Sequence, residues 1–257
     1  MNQAMNQAIN QAINIDAKGI YYKELNEQIH SAVHAGQREI ILENVNGQRY
    51  IGDGLSGGDV RISIQGTPGN DLAAFMDGPT IEIFGNAQDG IGNTMNAGKI
   101  IVHGNAGDIV GHSMRGGKIF IRGNVGYRIG IHMKAYEDLY PVIIVGGYAQ
   151  DYLGEYMAGG LIIVLDLYKD EGQTIVGEYC GTGMHGGAMF IRGQVKDHQL
   201  GKEVKVFELD GKDRKNLETY VGEYARSFSL DAAEILKGHF CKLIPYTHRP
   251  YGKLYAY

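Results

Sequence analysis

Pairs of Ile or Val separated by a single residue recur along the chain at a fixed interval. Ile62-Ser-Ile64-Gln, Ile81-Glu-Ile83-Phe, Ile100-Ile-Val102-His and Ile119-Phe-Ile121-Arg each stand directly before a glycine, and successive pairs are nineteen residues apart. Alternation with period two marks a strand with one inward face, because neighbouring side chains point to opposite sides. A helix would repeat near 3.6 residues and would tolerate so many glycines poorly. The glycines keep the same period: Gly47, Gly66, Gly85, Gly104 and Gly123. Seven positions later stand Gly54, Ala73, Gly92, Gly111 and Gly130, and ten positions later Gly57, Met76, Met95, Met114 and Met133.

A short fixed period means one unit stacked on copies of itself, since no single unit can bury its apolar face. One strand and glycine corners per nineteen residues predict a single-stranded parallel β-helix whose coils rise by about 4.8 Å. In-phase residues then form columns. Leu72, Ile91, Val110, Ile129 and Leu153 make one, and Pro68, Ala87, Ala106, Val125 and Ala149 another, both read as core. The phase slips after Met133, where Lys134 to Tyr140 reads as an insertion, and resumes at Gly147, Gly154 and Met157. A seventh, less regular coil ends in Gly181 to Gly193, with an insertion around Tyr168 to Gly172. Leucine-rich repeats lack this Ile, Val and Met pattern, and a left-handed hexapeptide helix would need coils that are multiples of six.

About seven coils over residues 46–212 thus form the body of an all-β fold. Residues 1–14, built on Met-Asn-Gln-Ala repeats, read as a low-complexity tail. Residues 15–45 read as an N-terminal helical cap and a strand: Leu25, Ile29, Ala32 and Val33 have helical spacing, Gly36 ends the helix, and Glu39 to Glu43 is extended. Such a cap would cover the unpaired strand edge at the end of the stack. Residues 213–257 read as a C-terminal helical tail, also a cap. It holds a helix from Arg214 to Phe228, a short one N-capped by Ser229, and an aromatic end from Phe240 that packs on the helix or on a partner. Val204 to Leu209 alternates like a last strand.

Composition narrows the function classes. The chain has 257 residues, 44% hydrophobic, enough for one large core, and its 39 glycines are twice the usual share of about 7%. A net charge of −5 with no basic run predicts no nucleic-acid partner. Cys180 and Cys241 form neither a Cys-x-x-Cys pair nor a disulfide framework, which suits a reducing compartment. Neither a signal peptide nor an apolar span is read, so no membrane is expected and the location is expected to be cytoplasmic.

Candidate chemistry is sparse. The column four after the leading glycine reads Asn70, Asp89, Asp108, Tyr127 and Asp151, which brings Asp89 and Asp108 together on adjacent coils. A carboxylate pair can hold a cation or do acid and base work, but Asp beside a corner glycine more often bonds its own backbone. His103, His112, His132 and His185 stand at different phases and are not expected to converge on a metal. Cys180 falls in phase with the aliphatic column from Leu72 to Leu153, where a thiol is inert. No cysteine follows Met1 as an N-terminal nucleophile, and no long helix follows any glycine as a phosphate loop requires. No catalytic, cofactor-binding or metal-binding residue is therefore assigned. On the outward strand positions Phe84, Ile101, Phe120 and Phe190 form an apolar stripe that a terminal helix or another subunit should cover.

The motifs Gly47-Gln-Arg-Tyr-Ile-Gly52, Gly66-Thr-Pro-Gly-Asn-Asp-Leu72, Phe75-Met-Asp-Gly78, Gly85-Asn-Ala-Gln-Asp89, Met114-Arg-Gly-Gly117, Gly123-Asn-Val-Gly-Tyr-Arg128 and Gly181-Thr-Gly-Met-His-Gly-Gly187 closely resemble the C-terminal GXGXG domain of the glutamate synthase large subunit. The resemblance covers roughly Ile15 to Pro245 and implies a right-handed β-helix. It further implies a stand-alone, non-catalytic scaffold in a split enzyme that makes glutamate from glutamine and 2-oxoglutarate. The partners would be a glutaminase chain and a synthase chain bearing FMN and iron-sulfur clusters, with a homo-oligomer also compatible. The glycine-rich scaffold chain of formylmethanofuran dehydrogenase carries similar coils and supplies an alternative host. An independent β-helix hydrolase using Asp89 and Asp108 is the alternative from another class.

Overall fold

The computed structural model describes residues 12–168 and 172–246. Most of the Met-Asn-Gln-Ala repeat, residues 169–171 of the second insertion and the aromatic end from residue 247 lie outside them. Strand β1 (Ile13–Asp16) is followed by helix α1 (Tyr22–His34) and then by one strand per turn: β2 (Glu39–Asn46), β3 (Arg61–Thr67), β4 (Asp77–Phe84), β5 (Ala97–Val102), β6 (Lys118–Ile121), β7 (Val142–Val145), β8 (Ala158–Val164) and β9 (Gly186–Ile191). All nine pair in parallel and in chain order, so the body is a β-solenoid. Its regular part is about six turns, one fewer than the seven expected.

Register carries the nineteen-residue period into space. Ile62 lies beside Ile81, Ile81 beside Ile100, Ile100 beside Ile119, Ile119 beside Ile143 and Ile143 beside Ile162. These residues and their i+2 neighbours fill the bore together with Met76, Met95, Met114, Met133, Met157 and Met184, all buried. Each buried aliphatic side chain contributes roughly 1.5–3 kcal/mol, so the stack rather than any single turn holds the fold.

The first turn departs from the expected phase. Val45, not Gly47, pairs with Gly66, and the Ala73 N–H bonds Ile51 O as the Gly92 N–H bonds Leu72 O. Ile51 therefore heads the column of Leu72 and Ile91, and Leu55 replaces Gly57 at the head of the methionine column. Gly54 likewise falls two positions out of the column in which Ala73 and Gly92 stand.

The ends also differ from expectation. Ile13 and Asn14, assigned to the tail, pair with Ile40 and Ile41, so β1 is the first edge of the sheet. Leu25 and Ile29 of α1 enter the bore's core, and Ala35 and Gly36 (φ 97°) end that helix as its sequence predicts. At the other end β10 (Val204–Glu208) is not next to β9 in the sheet order. The segment Cys241–Pro245, expected to pack on a helix or a partner, is strand β11, inserted antiparallel between β9 and β10. Helix α2 (Gly211–Phe228) starts three residues earlier than expected, because Asp210 accepts hydrogen bonds from the Lys212 and Asp213 N–H groups. Ser229 is the left-handed C-cap of α2 (φ 55°), while Asp231 is the N-cap of α3 (Ala232–Leu236).

Helix α2 lies on the outer face of the sheet rather than over its end. Leu217, Val221, Tyr224 and Phe228 form a second core with Ile101, Phe120, Ile144, Ile163 and Phe190. The Tyr224 hydroxyl donates to Ile121 O at 3.2 Å, and Lys118 Nζ reaches both carboxylate oxygens of Glu223 at 2.6 and 2.8 Å. The outward stripe is thus covered by a terminal helix, as expected, except at Phe84, which stays 44% exposed and stacks on His103.

Candidate functional site

The corners that follow the strands are built from two ladders of Asx side chains. Asn86 Oδ1 accepts the Asn105 N–H at 2.8 Å, Asn105 Oδ1 the Asn124 N–H at 2.8 Å, and Asn124 Oδ1 the Tyr148 N–H at 3.1 Å. Three positions on, Asp89 Oδ1 accepts the Asp108 N–H at 2.9 Å, Asp108 Oδ1 the Tyr127 N–H at 2.9 Å, and Asp151 Oδ1 the Glu178 N–H at 2.8 Å. Each side chain thus satisfies a backbone donor one turn further along, in the stacking direction, rather than in its own turn. The spacing of the glycine motif follows from this contact. A Cβ built on Gly126 would lie 1.9 Å from Asp108 Oδ1 and one on Gly123 2.0 Å from Asn105 Oδ1, so a bare Cα must stand wherever an Asx side chain crosses.

This arrangement sets the role of Asp89 and Asp108. The structure places them in one column, as the spacing predicts, but each commits Oδ1 to holding the next turn. Asp108→Ala is expected to leave the Tyr127 N–H unpaired and to cost about 1 kcal/mol, whereas Asp108→Asn keeps the acceptor and should change little. Thermal unfolding of the two variants checks this; equal losses would show that the ladder bond contributes nothing.

The backbone at these corners is left-handed at successive non-glycine residues, including Ile109 (φ 50°), Arg128 (φ 58°), His132 (φ 55°) and Tyr156 (φ 53°). Several of their side chains meet in rows at the surface. Arg128 sits over the Tyr152 ring at 4.4 Å, and Tyr152 stacks on Tyr179 with ring centres 5.0 Å apart. Arg128 also pairs with the buried Glu155. Beside this row the histidines lie closer than their phases suggest, because adjacent columns are neighbours in space. His112 and His132 are 6.1 Å apart and His132 stacks on Tyr156 at 5.2 Å, while His132 and His185 line one groove. Burial, with His132 adding to it, lowers the His112 pKa. His103 is elsewhere, bonded to Glu82 at 2.7 Å. Among the described residues no group of three or more His, Cys, Asp or Glu is placed to hold a metal ion.

Cys180 lies fully buried in the aliphatic column, as its phase predicts, and desolvation pushes its pKa up to about 12. Such a thiol carries no thiolate near neutral pH. Cys241 is buried in the same core.

The groove near these columns has a volume of about 540 Å3 and is lined by Ser113, Arg115, His132, Lys134, Tyr156 and His185 among others. Tyr156 on its wall is exposed, as are Tyr127 and Tyr179 on coils five and seven and Tyr136, Tyr140 and Tyr168 elsewhere on the surface. The sequence motifs point to the glycines and not to these residues. Their signal is a column effect: Arg115 and Lys134 stand one residue after Met114 and Met133, and His185 one after Met184.

Comparison with known proteins agrees with this architecture. The model of the GXGXG motif family matches residues 4–246. A protein of Methanocaldococcus jannaschii, described only as uncharacterized protein MJ1350, is 50% identical over 250 residues, covering 94% of this chain and 95% of that protein. Among the described residues no helix is long and apolar enough to cross a membrane. With its glycine ladder explained by the crossing Asx side chains and its motif matched nearly end to end, the chain belongs to the GXGXG family, that of the C-terminal domain of the glutamate synthase large subunit.

Proposed function

We propose that this chain is the non-catalytic scaffold subunit of a split glutamate synthase. In this reading it holds a glutaminase chain and a synthase chain with FMN and iron-sulfur clusters in fixed relation while glutamine and 2-oxoglutarate become glutamate. The observation that carries the proposal is the family match over residues 4–246, the family being that of the C-terminal domain of the glutamate synthase large subunit. Two features support it. The Asp column is spent on the chain's own backbone, and coils five to seven display tyrosines that are 47% (Tyr127) and 49% (Tyr179) exposed, a residue type enriched where proteins dock. We read the solenoid as right-handed, α1 as the cover of its first open turn, and the complex as cytoplasmic.

Purification of the untagged complex from its native cells, followed by mass spectrometry, tests the reading. A flavin and iron-sulfur synthase chain and a glutaminase chain should elute with this protein. Elution with molybdenum or tungsten proteins, or alone, would overturn it.

A further inference from the structure

The protein carries a net charge of −5, yet the groove beside the corner columns contains Arg115, Lys134, His132 and His185 and no Asp or Glu among its lining residues. Neither Arg115 nor Lys134 forms an ion pair among the described residues. The Arg115 Nε–H is buried and has no hydrogen-bond partner among the described residues. A guanidinium N–H removed from water without an acceptor is rare in a folded protein, and its fork matches the paired oxygens of a carboxylate or phosphate. His185 is held through the contact of its Nδ1 with Gly183 O at 3.2 Å, which leaves Nε2 as the nitrogen that no described residue engages. His132 and Tyr156, stacked within 9° of parallel, give the groove a planar wall. At about 540 Å3 the space is larger than a bare oxyanion needs.

We propose that this groove is a binding site for an organic oxyanion, a carboxylate or phosphate group on a small carbon body. Arg115 binds the oxygens as a fork, Lys134 adds the second positive charge, and Ser113 donates a hydroxyl hydrogen bond. The His132 and Tyr156 rings take the carbon body. The surplus of positive charge in an otherwise acidic protein draws such a ligand to this face. The site is independent of which complex the chain serves.

The test uses the full chain in chloride buffer, titrated separately with succinate and with inorganic phosphate, following the Arg115 Nε–H resonance by NMR. The resonance should move saturably with at least one probe, and which of the two binds more tightly distinguishes a carboxylate site from a phosphate site. Lys134→Gln should raise the dissociation constant about tenfold, as expected for loss of one charge-assisted contact. Arg115→Gln should abolish saturation. Because Arg115 is partly buried and its removal could impair folding, the exposed Lys134 variant decides the matter alone if Arg115→Gln does not fold. Failure of both probes to saturate, or unchanged affinity in Lys134→Gln, overturns the site. Protection of the groove only inside an assembled complex, with no binding of either probe, overturns it in favour of an acidic segment of a partner chain.

Discussion

Gly98→Val is expected to prevent the chain from accumulating as a folded protein. Gly98 is the second residue of β5, with φ at 98°, and a Cβ built there would stand 2.2 Å from Pro79 O and 2.8 Å from Gly78 C, both backbone atoms of the preceding turn. A β-branched residue would have to hold a left-handed conformation at roughly 1–3 kcal/mol and would push two turns apart at roughly another 1–3 kcal/mol. Since turns touch only their neighbours, the strain cannot be relieved by a distant shift. Together these terms are a large share of a typical stability of about 5–15 kcal/mol. Gly58→Ala is the control, because a Cβ on Gly58 meets nothing within 4 Å. The thermal midpoint of soluble protein checks the pair: collapse for Gly98→Val and near-native melting for Gly58→Ala. Native melting of both would mean that the turns are packed more loosely than described.

Phe120→Ala carries the second large effect. Phe120 is fully buried on the outward face of β6, meets Tyr224 edge-on at 5.8 Å and lies 5.4 Å under Lys99 Nζ. Truncating a buried Phe costs about 3–5 kcal/mol through lost transfer energy and the cavity left behind. The loss falls on the outer core, which is separate from the bore. Hydrogen exchange should therefore show the amides of residues 211–228 losing protection well before those of β3 to β5. Uniform loss across both regions would show that the helix and the solenoid unfold as one unit.

Much of this architecture is legible in the sequence, for a physical reason. Stacking forces in-phase residues into identical surroundings, so the Ile pairs, the methionine column and the place of Cys180 follow from period alone. The first turn misleads because Gly47 keeps the nineteen-residue spacing to Gly66 by coincidence while both Gly52 and Gly54 fit a glycine column. The better signal is Ile51 four before Leu55, which repeats Leu72 before Met76 and Ile91 before Met95. Strand β11 is not legible because its partners are β9 and β10, distant in sequence and antiparallel, and five residues ending in Pro245 carry little pattern. The capping role of Asp210 is obscured because Gly211 and Lys212 hide the start of the apolar face. The carboxylate column shows in the sequence, but its use does not: periodicity tells which residues stack, whereas the direction of an Oδ1 towards the next turn depends on the glycine that makes room for it. The cationic groove is assembled from the residues on either side of the methionine column over five successive turns, so period places its members in line but does not show that they face an open groove.

On the scaffold reading, this chain organises catalysis performed by others. The most direct test is glutamine-dependent glutamate formation by the assembled complex, measured with the native chain, without it, and with Asp89→Asn/Asp108→Asn, which keeps the ladder acceptors but removes both carboxylates. Full activity is expected with the double variant, and glutamine-dependent synthesis should be lost when the chain is omitted. Loss of activity in a complex that still assembles with Asp89→Asn/Asp108→Asn would contradict the scaffold role and make the two carboxylates part of the chemistry.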